Sequence, residues 1–473
     1  MFNLPQANSF VSTAELAALN DALRKSATVG YQTPAVTTGA DNGSLSPLVP
    51  QSIENLLSSA TYTLKELALW PRLPKVSVTN TVHEYSVIKD HGLDLDPFIT
   101  EGSAGVTNKS QYERKSVRIK YLAERREVSD VGTLVGLVGS ESNAIALETE
   151  RGTLRLLQKL ERSLFHSKES VNDIFFDGIV TQIENYNNGS NTFDARGKAP
   201  TPRLLQEILG KLYGAPLFGR PDAIYVEPRI HAELIKFAVQ FGRHDQLSIS
   251  ANSNAITYGA TSQINIQGPV GPVPVVAAPF LFNSYTAPAS GSTTTGAPSA
   301  PTLTSAVVAA DSASQFVAGD AGDYFYKVVA VNNSGYSAPV ASAAKTIAAG
   351  DKVTLTIAQQ DSAVYFKIYR TEVDGALGTE VLIDEVKATS GGATVWVDRN
   401  ENIPNSSKIV FVQHDQSIME FAKLLDFFRR PLAEVATTKP FLLMLFGAPI
   451  VKVPSKCWVV KNAKVSSTLI ETM

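Results

Sequence analysis

The stretch that decides the fold is 141–168, ESNAIALETERGTLRLLQKLERSLFHSK. Leu154, Leu157, Leu160 and Leu164 recur at spacings of three and four, the period of one helix face. Glu148 and Arg151 stand three apart, within reach of an ion pair along the helix. At 1.5 Å per residue such a helix runs roughly 40 Å. That is long for a small domain and suits a spine that carries other elements.

Upstream of the spine, Val76-Ser77-Val78 and Val82 to Ile88 are rich in β-branched and aromatic residues. The pattern lapses over 90–112, where Gly92, Pro97, Gly102 and Gly105 fall among acids. It returns at Lys115 to Leu122, where Val117, Ile119 and Tyr121 alternate with Ser116, Arg118 and Lys120. Two long strands with a polar tip predict an extended β-hairpin over about 76–126. Basic residues gather at Arg114, Lys115, Arg118, Lys120, Arg125 and Arg126. Such a stripe suits a nucleic acid or carboxylates of another copy of the chain. The second reading ranks first, because guanidinium forks match carboxylates and Asp90, Asp94, Asp96 and Glu101 stand nearby.

Downstream, 200–282 alternates helix and strand, an α/β or α+β body. Thr201-Pro202 opens a helix to Leu212, and Glu227-Pro228 opens another to about Phe241. Ala223–Val226 and Val273–Ala277 read as short strands. Residues 286–301, TAPASGSTTTGAPSAP, form a flexible linker by composition. Strands then follow at Thr302–Val308, Tyr324–Val331, Val353–Ile357, Val364–Tyr369, Glu380–Val386 and Thr394–Val397, separated by turns, which argues a β-sandwich. Segment 286–405 holds 12 acids against 7 bases, a separate acidic module. Asn402 to Ser407 leaves it as a second flexible loop, and the flanking strands 273–277 and 408–413 are expected side by side. After Ser406, Lys408–Gln413 reads as a strand and Ile418–Phe428 as a helix-like apolar run. Phe441–Phe446 and Cys457–Val460 read as strands of a second sheet. At the start, Ser12-Thr13-Ala14-Glu15 has a capping-box pattern and opens a short helix. Residues 1–50 are expected to be an arm lying on something else, with a disordered tail as the alternative. A short helix is expected around Ile53–Leu57.

Composition sets the limits. The chain has 473 residues, 44% hydrophobic and 18% charged, in the range of ordered proteins. A net charge of −3 gives no overall signature of nucleic-acid binding. Cys457 is the single cysteine, so no internal disulfide can form, and a reducing compartment is expected. Residues 1–10 carry no secretory pattern, and the longest apolar runs fall far short of the roughly 20 residues that span a bilayer. The chain is therefore expected to be cytosolic when made.

No motif carries chemistry. A Gly-Lys-Ser/Thr phosphate loop is absent, and Gly132, Gly136 and Gly139 lack the dinucleotide spacing. Gly102-Ser103-Ala104-Gly105 is not a nucleophile elbow. Glycine and proline interrupt the acids at 90–101, so a solvated loop is favoured over a cation site. The six histidines form no metal pattern, and His83 and His91 read as surface residues. No catalytic residue, cofactor or metal site is expected.

The order of parts resembles the tailed-phage major capsid fold: arm, extended hairpin, spine helix, α/β body, returning strands. Phe175-Phe176-Asp177-Gly178, Pro221-Asp222-Ala223-Ile224-Tyr225-Val226, Phe446-Gly447-Ala448-Pro449-Ile450-Val451 and Trp458-Val459-Val460-Lys461-Asn462-Ala463 resemble phrases of such proteins. The resemblance covers roughly 50–285 and 406–473. It implies an axial domain mainly in 203–282 with part of 408–428, and a peripheral domain built from the spine helix and about 440–470. It further implies a shell subunit forming hexamers and pentamers around double-stranded DNA in a virion assembled in the host cytoplasm. Scaffolding, portal and decoration proteins are the implied partners. Asp94, Asp96, Glu101, Lys109, Arg114 and Arg118 are the expected intersubunit residues. Lys109 lies near the hairpin tip, where some relatives cross-link, but no partner asparagine or catalytic acid is matched. The insert, by Tyr324 to Asn332 with Gly335 and Ser337, resembles an immunoglobulin-like or fibronectin type III module that would sit on the outer surface and contact host glycans or neighbouring capsomers. The alternatives are an encapsulin-like nanocompartment shell, and a binding protein or hydrolase with an appended immunoglobulin-like module.

Overall fold

The computed structural model describes residues 63–92, 98–104, 107–134, 143–241, 264–434 and 436–465. The expected arm, the expected helix at 53–57, Asp94 and Asp96 lie outside the described residues.

The chain runs through β1 (Lys75–Ser77), β2 (Val82–Asp90), β3 (Gln111–Arg118), β4 (Lys120–Ser129), α1 (Asp130–Leu134) and the spine, α2 (Ala144–His166). Next come α3 (Ile179–Glu184), β5 (Thr192–Asp194), α4 (Pro202–Tyr213), β6 (Ala223–Val226), α5 (Pro228–Phe241), β7 (Ile264–Gln267) and β8 (Pro272–Ala277). The insert holds β9 (Leu303–Ala310), β10 (Gly322–Tyr324), β11 (Tyr326–Asn332), β12 (Gly335–Tyr336), β13 (Val340–Ala341), β14 (Lys345–Ile347), β15 (Asp351–Ile357), β16 (Tyr365–Arg370), β17 (Val381–Lys387) and β18 (Thr394–Asp398). The body returns with β19 (Ser407–Val412), β20 (Met419–Pro431), β21 (Thr438–Val451) and β22 (Trp458–Ala463).

Asn143 caps the spine, its side chain accepting the Ile145 N–H at 2.9 Å. The buried face is Leu156, Leu160, Leu164 and Phe165. Leu154 and Leu157, expected in that face, sit half-buried at its margin, so the face is turned from the one read in the sequence. At Gly152 an added Cβ would come within 2.6 Å of Leu443, which is why no side chain stands there. Glu148 meets Arg126 of β4 at 3.3 Å instead of the expected Arg151. The carboxylate of Glu161, fully buried, accepts the backbone N–H groups of Ala68, Leu69 and Trp70 at 3.0, 2.6 and 2.8 Å.

The spine packs on a long sheet ordered β1-β20-β21-β4. Its longest strand, β21, has 14 residues and runs roughly 45 Å. Ile418–Phe428, expected to be helical, is thus mostly strand β20. Met419 to Ala422 are buried on both faces, which erases the alternation that marks a strand. The second sheet is ordered β5-β22-β19-β6-β8-β7. Leu205, Ile208, Leu209 and Leu212 of α4 and Ile230 and Leu234 of α5 cover one face of it. Phe441–Phe446 and Cys457–Val460, expected in one sheet, therefore divide between the two. β1 pairs in parallel with β20 rather than joining the hairpin, and the strand read across 115–122 breaks at buried Ile119.

The insert is a sandwich of two sheets, β18-β15-β9 and β12-β11-β16-β17, closed over Tyr326, Val328, Val353, Leu355, Phe366 and Ile368. Arg370 is buried within it, paired with Asp398 and bonded to Asn400 Oδ1 at 2.7 Å, so its charge is matched. The strands flanking the insert lie in one sheet but not side by side, because β6 stands between β19 and β8. The chain nonetheless leaves and re-enters the body at one place: Ser284 Oγ donates to Ser406 O at 3.2 Å. Neither connection is the free loop expected from composition. The 286–301 stretch is tied down by Ser292 N to Tyr336 O at 2.8 Å and Asn332 Nδ2 to Gly296 O at 2.8 Å. The exit is held by Asn462, whose Oδ1 accepts Ile403 N at 3.0 Å, and by Arg196, which donates to Asn400 O at 3.4 Å and also to Gln315 Oε1 elsewhere in the insert at 2.7 Å. Lys168–Asp384 and Lys387–Asp173 ion pairs join the insert's β17 to the body at 3.1 and 2.8 Å.

His166 is enclosed at this junction, its Nε2–H donating to Leu281 O at 2.7 Å. Burial, reinforced by the nearby Lys408 charge, holds its pKa down at about 3. The unfolded imidazole titrates near 6.5, so its stabilising contribution is complete above that pH and is lost as pH falls toward 3. Lowering pH from 7 to 5 should cost up to about 2 kcal/mol through this group. Denaturant melts of the parent and of His166→Gln check this: the variant should lose less stability over that interval, and equal losses contradict the assignment.

A second expectation follows from the shared exit point. Replacing 287–404 with a short Gly/Ser linker should leave the body folded, because chain ends this close tolerate replacement of what lies between. Circular dichroism and a cooperative melt of the deletion variant test it, and an aggregated, non-cooperative product contradicts it.

Candidate intersubunit interface

The hairpin β2–β3 is a two-stranded sheet of its own. Its register sets Val82 opposite Arg118, Tyr85 opposite Lys115 and Ile88 opposite Tyr112. Alternation gives the two ends different surroundings. Tyr85 and Val117, near the base, pack against the body core, and His83 lies 3.6 Å from buried Glu420 rather than free on the surface. Toward the tip both faces are exposed: Ile88 is 55% and Tyr112 71% exposed, and Phe98 beyond them is 89% exposed. A two-stranded ribbon alone in water is at best marginally stable, and both its outer edges offer unpaired backbone groups. An arm that carries a cross-strand apolar pair on such a ribbon is built to be covered by another surface.

The expected interface residues divide. Glu101 is exposed in a turn completed by Gly102, whose φ of +83° is a backbone conformation that favours glycine. Lys109 is exposed, its backbone N–H donating to Asn108 Oδ1 at 3.0 Å. Arg114 does not reach the acids of 90–101 among the described residues; it meets Glu84 of its own hairpin at 3.5 Å, both side chains more than half exposed. Arg118 is exposed and has no ion pair among the described residues. The rest of the basic stripe is answered by its own chain. Lys115 meets Glu113 at 3.7 Å, Lys120 meets Glu169 at 2.8 Å, Arg125 meets Glu127 at 3.3 Å and Arg126 meets Glu124 at 3.3 Å. Sequence reasoning weighed the charges and passed over Ile88 and Tyr112. Their signal was an apolar residue at the far end of each strand, where a solvated tip calls for polar ones.

Other groups are placed without reactive roles. Cys457 is buried, and burial pushes its thiol up to about 12, which suppresses the reactive thiolate. Asp222 Oδ1, His414 and Tyr225 OH form a relay at 2.9 and 2.8 Å, but Tyr225 is fully buried and the relay joins the ends of β6 and β19. Among the described residues no group of three or more His, Cys, Asp or Glu stands close enough to hold a metal ion.

No known family profile matches the chain. It is similar to the capsid chain of Enterococcus phage phiEF24C, 24% identical over 476 residues that span 96% of this chain and 97% of that one. The major capsid proteins of Staphylococcus phages S25-3 and K are each 23% identical over 434 residues, 87% of this chain and 89% of theirs. Among solved structures, a chain of Gordonia phage Cozz matches with 10% identity over 91% of this chain and 97% of its own at a TM-score of 0.43. The encapsulin of Synechococcus elongatus PCC 7942 matches with 12% identity over 87% and 94% at a TM-score of 0.39. The chain is a phage capsid protein of α+β fold, and its place is the virion. Within that class its counterparts are the major capsid proteins.

Proposed function

We propose that copies of this chain close into an icosahedral shell of hexamers and pentamers around double-stranded DNA, each hairpin lying over a neighbouring copy. The exposed Ile88–Tyr112 pair on an otherwise unsupported ribbon carries the reading. Covering the tip removes apolar area from water at about 25 cal/mol per Å², a gain repeated at every contact in the shell. Obligate interfaces of this kind commonly bury more than about 2,000 Å². The sandwich insert, which we take as immunoglobulin-like, belongs on the outer face. Its charge, 12 acids against 7 bases, would be repelled by packaged DNA. Neighbouring capsomers or host glycans are its natural contacts there, and scaffolding, portal and decoration proteins complete the set of partners. The nanocompartment alternative stands behind this reading, because the curated relatives matched over most of both chains are phage capsid proteins. The same relatives favour this reading over the hydrolase alternative.

Arg114→Glu together with Arg118→Glu tests the interface. Both side chains are exposed, so the subunit should keep its circular dichroism and lose little stability. Assembly, followed by size-exclusion chromatography and negative-stain micrographs, should weaken. Normal particles in normal yield would remove these arginines from the interface.

A further inference from the structure

A cleft lies between the spine helix and the insert. Arg155, Lys159 and Arg162 stand at i, i+4 and i+7 on α2, one face of the helix. Opposite them, Tyr365, Lys367 and Tyr369 alternate along β16, while the intervening Phe366 and Ile368 point into the sandwich core. Two adjoining cavities of about 410 and 510 Å³ share Lys159, Tyr365 and Lys367 as lining.

The charges in this cleft do not balance. Glu385 holds Lys367 at 3.1 Å, and Glu124 is shared between Arg155 at 3.4 Å and Arg126 at 3.3 Å. Arg162 donates to Asn283 Oδ1 at 2.7 Å and lies over the Tyr285 ring at 4.2 Å, contacts that leave its charge unanswered. Lys159 has no carboxylate partner among the described residues. Burial, with Arg162, Lys367 and Arg155 close by, holds its pKa below the usual lysine value, and the charge of Glu124 offsets this only in part. Tyrosines supply a flat wall that guanidinium and ammonium groups tolerate.

We propose that this cleft binds a small multivalent oxyanion, its phosphate or carboxylate groups spaced about 5 Å apart, near the rise from Lys159 to Arg162 along the helix. Arg155 and Lys159 would hold one end, Arg162 and Lys367 the other, with Tyr365 and Tyr369 as the wall. The site does not depend on the shell reading, since every group in it belongs to one subunit.

Isothermal titration of the purified full-length chain at low ionic strength tests the proposal, with tripolyphosphate and citrate as probes. At least one should bind saturably at one per chain. Tighter tripolyphosphate identifies a phosphate ligand and tighter citrate a carboxylate one; either supports the site. Arg155→Gln with Lys159→Gln should weaken binding at least tenfold, and Arg203→Gln, an exposed control on α4 outside the lining of both cavities, should leave it unchanged. Lys159→Gln alone has no ion pair to lose, so it carries the test if the double variant misfolds, and should weaken binding several-fold. Absence of saturable binding by both probes, parental affinity in the Lys159 variant, or equal weakening by the control would overturn it.

Discussion

The carboxylate of Glu161 is the contact on which the rest of the layout depends. It sits fully buried on the spine and takes three successive backbone N–H groups, those of residues 68–70. Burial raises its pKa above the usual carboxylate value, and the three N–H donors that favour the ionised form offset this only in part. The turn it clamps sets Trp70 edge-on against Phe421 at 4.9 Å and aims β1 along β20. From there the chain has one direction in which to leave the body, and the hairpin follows it. A spine that fixes the root of the hairpin in this way would suit the proposed contact of its tip with a neighbour.

The insert obeys a different constraint. Its core is its own, yet its connections are pinned by Ser284, Asn462 and Arg196 rather than left free. The Arg370–Asp398 pair sits toward the attachment, where Arg370 also donates to Asn402 O at 3.1 Å. Module and body are therefore separable in core and coupled in orientation. That combination would suit the outward display proposed for the insert.

Much of this was legible in the sequence where local pattern governs. The spine, the helix capped at Thr201, strand 223–226 and most strands of the insert follow from periodicity and punctuation. What stayed hidden depends on contacts distant in sequence. The first residues of β20, Met419 to Ala422, are buried on both sides, so that stretch has no period of two. The spine's buried face turned because Leu156 meets the long sheet where Leu157 was expected. Glu161 reads as a surface charge until residues 68–70 are seen folding onto it. The placing of β6 between β19 and β8 follows from non-local pairing that no local pattern encodes. At the candidate interface, charge drew attention to Arg114 and Arg118, while the apolar pair Ile88–Tyr112 emerged only when the register was known.

Association with further copies of itself is what this chain is proposed to do. The most direct measurement is the native mass of the purified full-length chain across a range of concentrations, with electron micrographs of the same samples. The account predicts closed particles of megadalton mass built from one kind of subunit. A strictly monomeric chain at every concentration, with or without a scaffolding partner, would contradict it.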